Sequence, residues 1–337
     1  VKITIIGTGY VGLVTGVCIS EFGFDVTCVD KNETKIRMLE KGKSPIYEPG
    51  IESMLQANAA QGRLHFNTDT AKAAGEADVV VVAVDTPTSK GGDQVELGQV
   101  YSAVDEIAPV LRENAVVIIK CTVVPGTTRK VLERIRSLRP GLKFSVVSNP
   151  EFLREGSAIE DFMNPDRVVI GVHDHYGREV AEHIYRPLAL QSTPIRIASL
   201  EDAEISKYAS NAFLAMKISF INEIADLCEK TGANIIEVSD IVGLDTRIGD
   251  QFLRAGPGYG GACFPKDTKA LAAFGRESGA PQRLVEATIT ANETRKFRIA
   301  QKIVDALGDP EGKTVAVLGV AFKANTDDIR ESPALAI

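Results

Sequence analysis

The first half of the chain is dominated by short Val/Ile-rich runs that are apolar on both faces: "KITIIG", "DVTCVD", "ADVVVVAV", "AVVIIK" and "KFSVVSNP". A strand with one face in water alternates apolar and polar residues. A run that does not alternate belongs to a strand covered on both sides, as in a parallel sheet between layers of helix. Amphipathic stretches such as Val11–Phe22 separate these runs. Alternating strand and helix predicts an α/β fold, a doubly wound sheet over residues 1–199.

The texture then changes. Leu200 to Lys230 is helical throughout, with Gly232 as its stop, and more helix is expected at Ile235–Ile241 and Arg283–Leu307. A helix of that length joins domains and offers a subunit interface, so 200–308 is expected to be a central helical, dimerising region. "KTVAVLGVAFK", Lys313 to Lys323, returns to buried-strand character. It is expected to begin a second α/β domain over 309–337, broken off at Ile337 before a sheet is complete.

Composition narrows the function. A formal net charge of −7 over 337 residues leaves no broad basic face for nucleic acid. No apolar run reaches the length of a membrane span, and the opening "VKITIIG" reads as a strand, not a signal peptide. Cysteines 18, 28, 121, 228 and 263 are scattered and form no CxxC, which predicts free thiols and a cytoplasmic protein. His173 and His175 match no zinc pattern, so no metal is expected and both are assigned to a loop after the strand Val168–Val172.

"GTGYVG", Gly7 to Gly12, lies between the first strand and the first helix. Gly7 permits the tight turn, Gly9 admits a pyrophosphate against the backbone, and Gly12 allows close helix–strand packing. The helix N-terminus, with Tyr10 and Val11, supplies free N–H groups. Asp30 ends the second strand, where a carboxylate meets a ribose hydroxyl. The domain is therefore expected to be Rossmann-type and to bind NAD rather than NADP, although Lys35 nearby would tolerate either.

"GPGYGGACFPK" surrounds the single thiol of Cys263 with bare backbone, followed by Lys266 and Asp267. Glu151 and Glu155 in "NPEFLREG", and Thr122 in "KCTVVPGT", stand at the ends of predicted strands, where ligand clefts of such sheets open. Lys207 and Asn211 are four apart on one face of the long helix. Taken singly, these are also a buried inert thiol, solvated carboxylates, a turn threonine and an exposed polar face.

Together with "KYASNAFLAMKISFINE" and "GVAFKANTDDIRES", these segments resemble the UDP-glucose/GDP-mannose dehydrogenases, in order and through essentially the whole chain. "CFPKD" and Arg247-Ile248-Gly249 are closer to the UDP-glucose branch, since leucine commonly follows the cysteine in the GDP-mannose branch. Ala262 replaces the usual serine before the cysteine. The resemblance implies NAD-dependent four-electron oxidation of UDP-glucose to UDP-glucuronate through a thioester on Cys263. It implies catalytic roles for Lys207, Asn211, Asp267, Glu151 and Thr122. Thr86, Thr122, Glu155, Lys266 and Arg330 would face the cofactor. Glu151, Phe152, Leu153, Glu155, Lys207, Asn211, Phe252, Gly260, Cys263 and Lys323 would face the sugar nucleotide, and Arg247 would reach a neighbouring subunit of a homodimer or larger homo-oligomer. Other nucleotide sugars, namely GDP-mannose or a UDP-N-acetyl hexosamine, stay open. So does a non-catalytic NAD-binding regulator, although that reading gives no reason to keep Cys263, Lys207, Asn211 and Asp267 together.

Overall fold

In the computed structural model, which describes residues 1–89 and 92–337, the chain forms two compact units. The first comprises Val1–Pro87 and Val95–Lys207; the second comprises Thr88–Gln94 and Tyr208–Ile337.

The first unit carries eight strands: β1 (Lys2–Ile6), β2 (Asp25–Val29), β3 (Leu64–Asn67), β4 (Val79–Val82), β5 (Ala115–Ile119), β6 (Phe144–Ser148), β7 (Val168–Val172) and β8 (Ile195–Ala198). Its helices are α1 (Tyr10–Glu21), α2 (Glu33–Glu40), α3 (Ile51–Ala60), α4 (Thr70–Glu76), α5 (Gly98–Ile107), α6 (Thr127–Leu138), α7 (Ala158–Met163), α8 (His175–Ile184) and α9 (Arg186–Leu190). The long helix α10 (Leu200–Thr231) starts here and continues into the second unit, which adds α11 (Ile235–Gly243), α12 (Phe264–Glu277), α13 (Arg283–Leu307) and α14 (Pro333–Ala336).

The strands form one sheet in the order β3-β2-β1-β4-β5-β6-β7-β8, parallel except where β6 meets β7. Successive residues of β4 serve opposite faces. Val79 and Val81 join a core with α1, α3, α7 and α8, whereas Val80 and Val82 join one with α4, α5 and α6. That sandwiching is why β4 carries no polar residue. The chain winds outward from β1 to β3, then crosses back to β4, so a crevice opens beyond the ends of β1 and β4.

The predicted doubly wound sheet, the stop at Gly232 (φ +74°) and the helix Arg283–Leu307 are all present. Two details differ. His173 lies in the loop after β7, but His175 opens α8, capped by Asp174. Lys313–Lys323 is not a buried strand: it has no regular secondary structure, and Leu318 is 94% exposed. A strand needs a neighbour to satisfy its backbone, and this segment pairs with none among the described residues. No helix among the described residues is long and apolar enough to cross a membrane.

Glu204 of α10 is buried and caps α6, accepting hydrogen bonds from Gly126 N–H at 2.6 Å and Thr128 N–H at 2.7 Å. Glu204→Ala leaves both amides unmet. It is expected to cost about 1–3 kcal/mol in urea unfolding; an unchanged midpoint would mean that water already satisfies them.

Candidate active site

The crevice at the switch point has a volume of about 460 Å³ and is lined by Gly7, Gly9, Asp30, Lys35, Ala83 and Ser102 among others. Its floor accounts for the glycines. A Cβ on Gly12 would lie 1.9 Å from the Gly7 carbonyl oxygen, so helix and turn close up only without one. A Cβ on Gly9 would meet nothing nearer than Asp85 Oδ1 at 3.6 Å, which leaves the approach to this backbone open. These residues fit the pyrophosphate of a dinucleotide.

Asp30 receives hydrogen bonds from Thr8 N–H (3.0 Å), Thr8 Oγ1 (2.7 Å) and Asn32 N–H (2.9 Å), with Lys35 Nζ at 3.7 Å. Burial works to raise its pKa, but these donors prevail and hold it below the ordinary carboxylate value. Tyr10 is bonded to buried Glu48, and both accept from Gly156 N–H at 2.7 Å. The phenol at the start of α1 is thereby tied to the loop that carries Glu151 and Glu155. Thr86 Oγ1 donates to the Thr122 carbonyl at 3.0 Å, joining the loops after β4 and β5.

The first unit also holds a buried ion pair. Lys207 Nζ lies 3.0 Å from Glu151 Oε1, with side chains 3% and 5% exposed. Leu153 N–H donates to the other carboxylate oxygen at 2.6 Å, and the Phe152 ring lies 5.3 Å from the ammonium. Burial alone would raise the pKa of Glu151. The ammonium of Lys207, the Leu153 amide and the more distant charge of Lys120 outweigh it and hold the carboxyl below its usual range.

In the second unit, Cys263 is the N-cap of α12, and Pro265 occupies the first turn, where its missing N–H costs nothing. A helix N-terminus carries unbonded N–H groups and the positive end of the helix dipole. One turn on, Asp267 is 1% exposed; it accepts from Asn211 Nδ2 at 2.6 Å and pairs with Lys266 Nζ at 2.5 Å. Cys18, Cys28, Cys121 and Cys228 are buried, and burial pushes Cys18 and Cys28 up to about 12; Cys263 is partly open.

The glycine loop before Cys263 is bare mainly because the protein itself packs against it. A Cβ on Gly260 would sit 2.4 Å from the Glu331 carbonyl oxygen, and one on Gly261 (φ +82°) 2.8 Å from the Phe322 ring. The loop is stapled by Asn222, which accepts from Gly256 N–H at 2.7 Å, and by Asn292, which bonds both backbone groups of Tyr259. Phe252, at φ +64°, lies against the Phe264 ring. Arg330 is held by Asp328, Lys323 lies over Phe322, and Arg247 is 88% exposed beside Asp245. Asn222, Asn292, Glu204, Glu48 and Lys120 are polar residues that sequence reasoning missed; Lys120, a lone charge ending an apolar run, carried the only local signal.

Fold and site together define a dinucleotide-binding α/β protein that presents a thiol at a helix N-terminus and a buried lysine–carboxylate pair. Two family models match the chain: the NAD-binding domain of the UDP-glucose/GDP-mannose dehydrogenase family over residues 1–189, and its central domain over residues 201–294. The UDP-glucose 6-dehydrogenase of Rhizobium meliloti (strain 1021) is 53% identical over 100% of this chain and 78% of its own length. UDP-glucose 6-dehydrogenase TuaD of Bacillus subtilis (strain 168) is 47% identical over 100% and 72%. A solved UDP-glucose dehydrogenase from the hyperthermophilic archaeon Pyrobaculum islandicum superposes with a TM-score of 0.95 at 39% identity, covering 99% of this chain and 77% of that one. The chain belongs to the UDP-glucose/GDP-mannose dehydrogenase family, and its cofactor is NAD.

Because Glu151 titrates below its ordinary value, the pair stabilises the fold above about pH 4.5, and that contribution is lost as pH falls through the folded pKa. Lys207→Met strands a buried carboxylate and is expected to cost about 3–5 kcal/mol at neutral pH. In urea unfolding across a pH series this deficit should narrow as pH falls from 4.5 through the folded pKa of Glu151, beneath which the carboxyl is protonated in both proteins. A deficit independent of pH would show that lost packing, not lost pairing, is responsible.

Proposed function

We propose that this chain oxidises C6 of UDP-glucose to the carboxylate of UDP-glucuronate, with a thioester on Cys263 as intermediate. The observation that carries the reading is Cys263 at the N-cap of α12, one turn before the buried Asp267 that Asn211 holds. In the first oxidation Asp267, through a water and with Lys207 nearby, takes the proton of the C6 hydroxyl. NAD, when bound, accepts the hydride that leaves C6 in each of the two oxidations.

The Cys263 thiolate then adds to the resulting aldehyde, forming a C–S bond and an oxyanion. Lys207 and Asn211, one turn apart on α10, donate to that oxyanion. Loss of the second hydride turns the thiohemiacetal into a thioester. Glu151 takes a proton from water positioned by Thr122 and Asp267; the hydroxide attacks C6, and the thiolate leaves. This sequence explains why a nucleophile is needed at all: an aldehyde carbon yields hydride usefully only after something has added to it.

Around this centre, Tyr10, Thr86, Glu155, Lys266 and Arg330 are assigned to the cofactor, and Phe152, Leu153, Phe252, Gly260 and Lys323 to the sugar nucleotide. Five free thiols, one of them a nucleophile, suit a reducing, cytoplasmic compartment. A homodimer is part of the same reading. Phe213, Phe220 and Leu227 recur every seventh residue of α10, and all three are more than half exposed. A second copy laid along that stripe would cover it and bring its Arg247 to a neighbour's substrate.

Absorbance of NADH should show two equivalents formed per UDP-glucose consumed, with little on GDP-mannose. Cys263→Ser should release no glucuronate; acid formation at the normal rate would remove the thioester. Replacing Phe213 and Phe220 together by Glu should turn a dimer into a monomer by light scattering. An unchanged mass would place the interface elsewhere.

A further inference from the structure

Lys120 directly follows β5, with its side chain in the core of the first unit, 4% exposed, and the reaction described above does not use it. Its hydrogen-bond partners are neutral. Asn149 Oδ1 accepts at 2.9 Å, Tyr185 Oη lies at 3.2 Å, and that hydroxyl in turn donates to the same Asn149 oxygen at 2.5 Å. The rings of Phe162 and Tyr185 lie 5.7 and 5.6 Å from the ammonium. Burying a cation among such partners is costly, and a methionine would fill the space without that cost.

We infer that Lys120 is a positioning residue for the Glu151–Lys207 pair, a second buried cation that keeps the Glu151 carboxylate charged and its backbone in place without touching substrate. The connection is physical as well as electrostatic. Asn149, which holds Lys120, stands two residues before Glu151. It is anchored on both sides, by its N–H to the Ile119 carbonyl (2.9 Å) and by Nδ2 to the Val169 carbonyl (2.8 Å). Lys120 therefore grips the strand end from which Glu151 projects.

The groups around it leave Lys120 few charges to act on. Tyr185 stays neutral because burial raises its pKa, and Cys18, behind it on α1, is pushed up to about 12. Arg167 is stacked 3.8 Å from the Phe152 ring, the ring that also neighbours Lys207. Glu151 and Lys207 are the charges that Lys120 itself feels: the carboxylate favours its ammonium form and the other ammonium opposes it. Burial is the largest influence and brings Lys120 down to about 8, so it is a cation through neutral pH and loses that charge as pH rises through about 8. Two ammoniums against one carboxylate leave a net positive cluster, which suits developing negative charge at C6.

The inference rests on Glu151 serving as the base for thioester hydrolysis, and the test keeps the two apart. The protonation of Glu151 is followed directly by the carboxyl infrared band that disappears in Glu151→Gln, on the full chain with NAD. Lys120→Met should move that titration up by roughly one pH unit. Lys120→Gln, which removes the charge and keeps a polar side chain for Asn149 and Tyr185, should move it the same way, so the result does not hang on one variant folding. Lys120→Arg and Tyr185→Phe keep the cation and should leave it in place. The acid limb of kcat for glucuronate release should follow the band, with KM for UDP-glucose changed less than about twofold. A band unmoved in both Lys120→Met and Lys120→Gln overturns the role of Lys120. A band that moves while the acid limb does not, or a limb that survives in Glu151→Gln, overturns Glu151 as the base and leaves the electrostatic link standing.

Discussion

Two opposite charges withdrawn almost completely from water, Glu151 and Lys207, set the terms for much of the first unit. Desolvating such a pair consumes most of what its attraction returns, so it is a poor device for stability alone. It persists only where the remaining lone pairs and protons are satisfied. The Leu153 amide does this for the carboxylate, while the Phe152 ring lies beside the ammonium. α10 must then approach the sheet closely. Gly171 of β7 permits this: a Cβ there would fall 2.7 Å from Ala203 Cβ. Glu204, one turn before Lys207, pins the same stretch of α10 to the start of α6.

The sheet was legible because burial on two faces leaves a compositional mark. That mark says nothing of direction, which is why the antiparallel pairing of β6 with β7 was not foreseen. β3 and β8 are four residues each and mix polar with apolar positions, so no periodicity rises above noise. α12 begins inside the glycine-rich motif, where Pro265 marks no break: a proline in the first turn is a helix start. Lys313–Lys323 shows the converse, a sequence with strand propensity that stays irregular where no neighbouring strand meets it.

At the site, the residues that carry charge or a thiol next to glycine or proline could be found along the chain. Those that hold them could not. Asn292 reaches back 33 residues to Tyr259, Glu204 76 residues to Thr128, and Glu48 forward 108 residues to Gly156. Such partners leave no spacing to recognise. The bare loop is instructive in another way: the resemblance sets Gly260 against the sugar nucleotide, yet the space a side chain would need at Gly260 and Gly261 is taken by the protein's own Glu331 and Phe322.

The distribution of thiols has a consequence beyond catalysis. Four of the five are sealed in the core, and in Cys18 and Cys28 the burial that hides the sulfur also suppresses its ionisation. Thiol-directed electrophiles therefore meet four buried cysteines and one partly open one, Cys263. The same selectivity makes its sulfur a natural place for a covalent label.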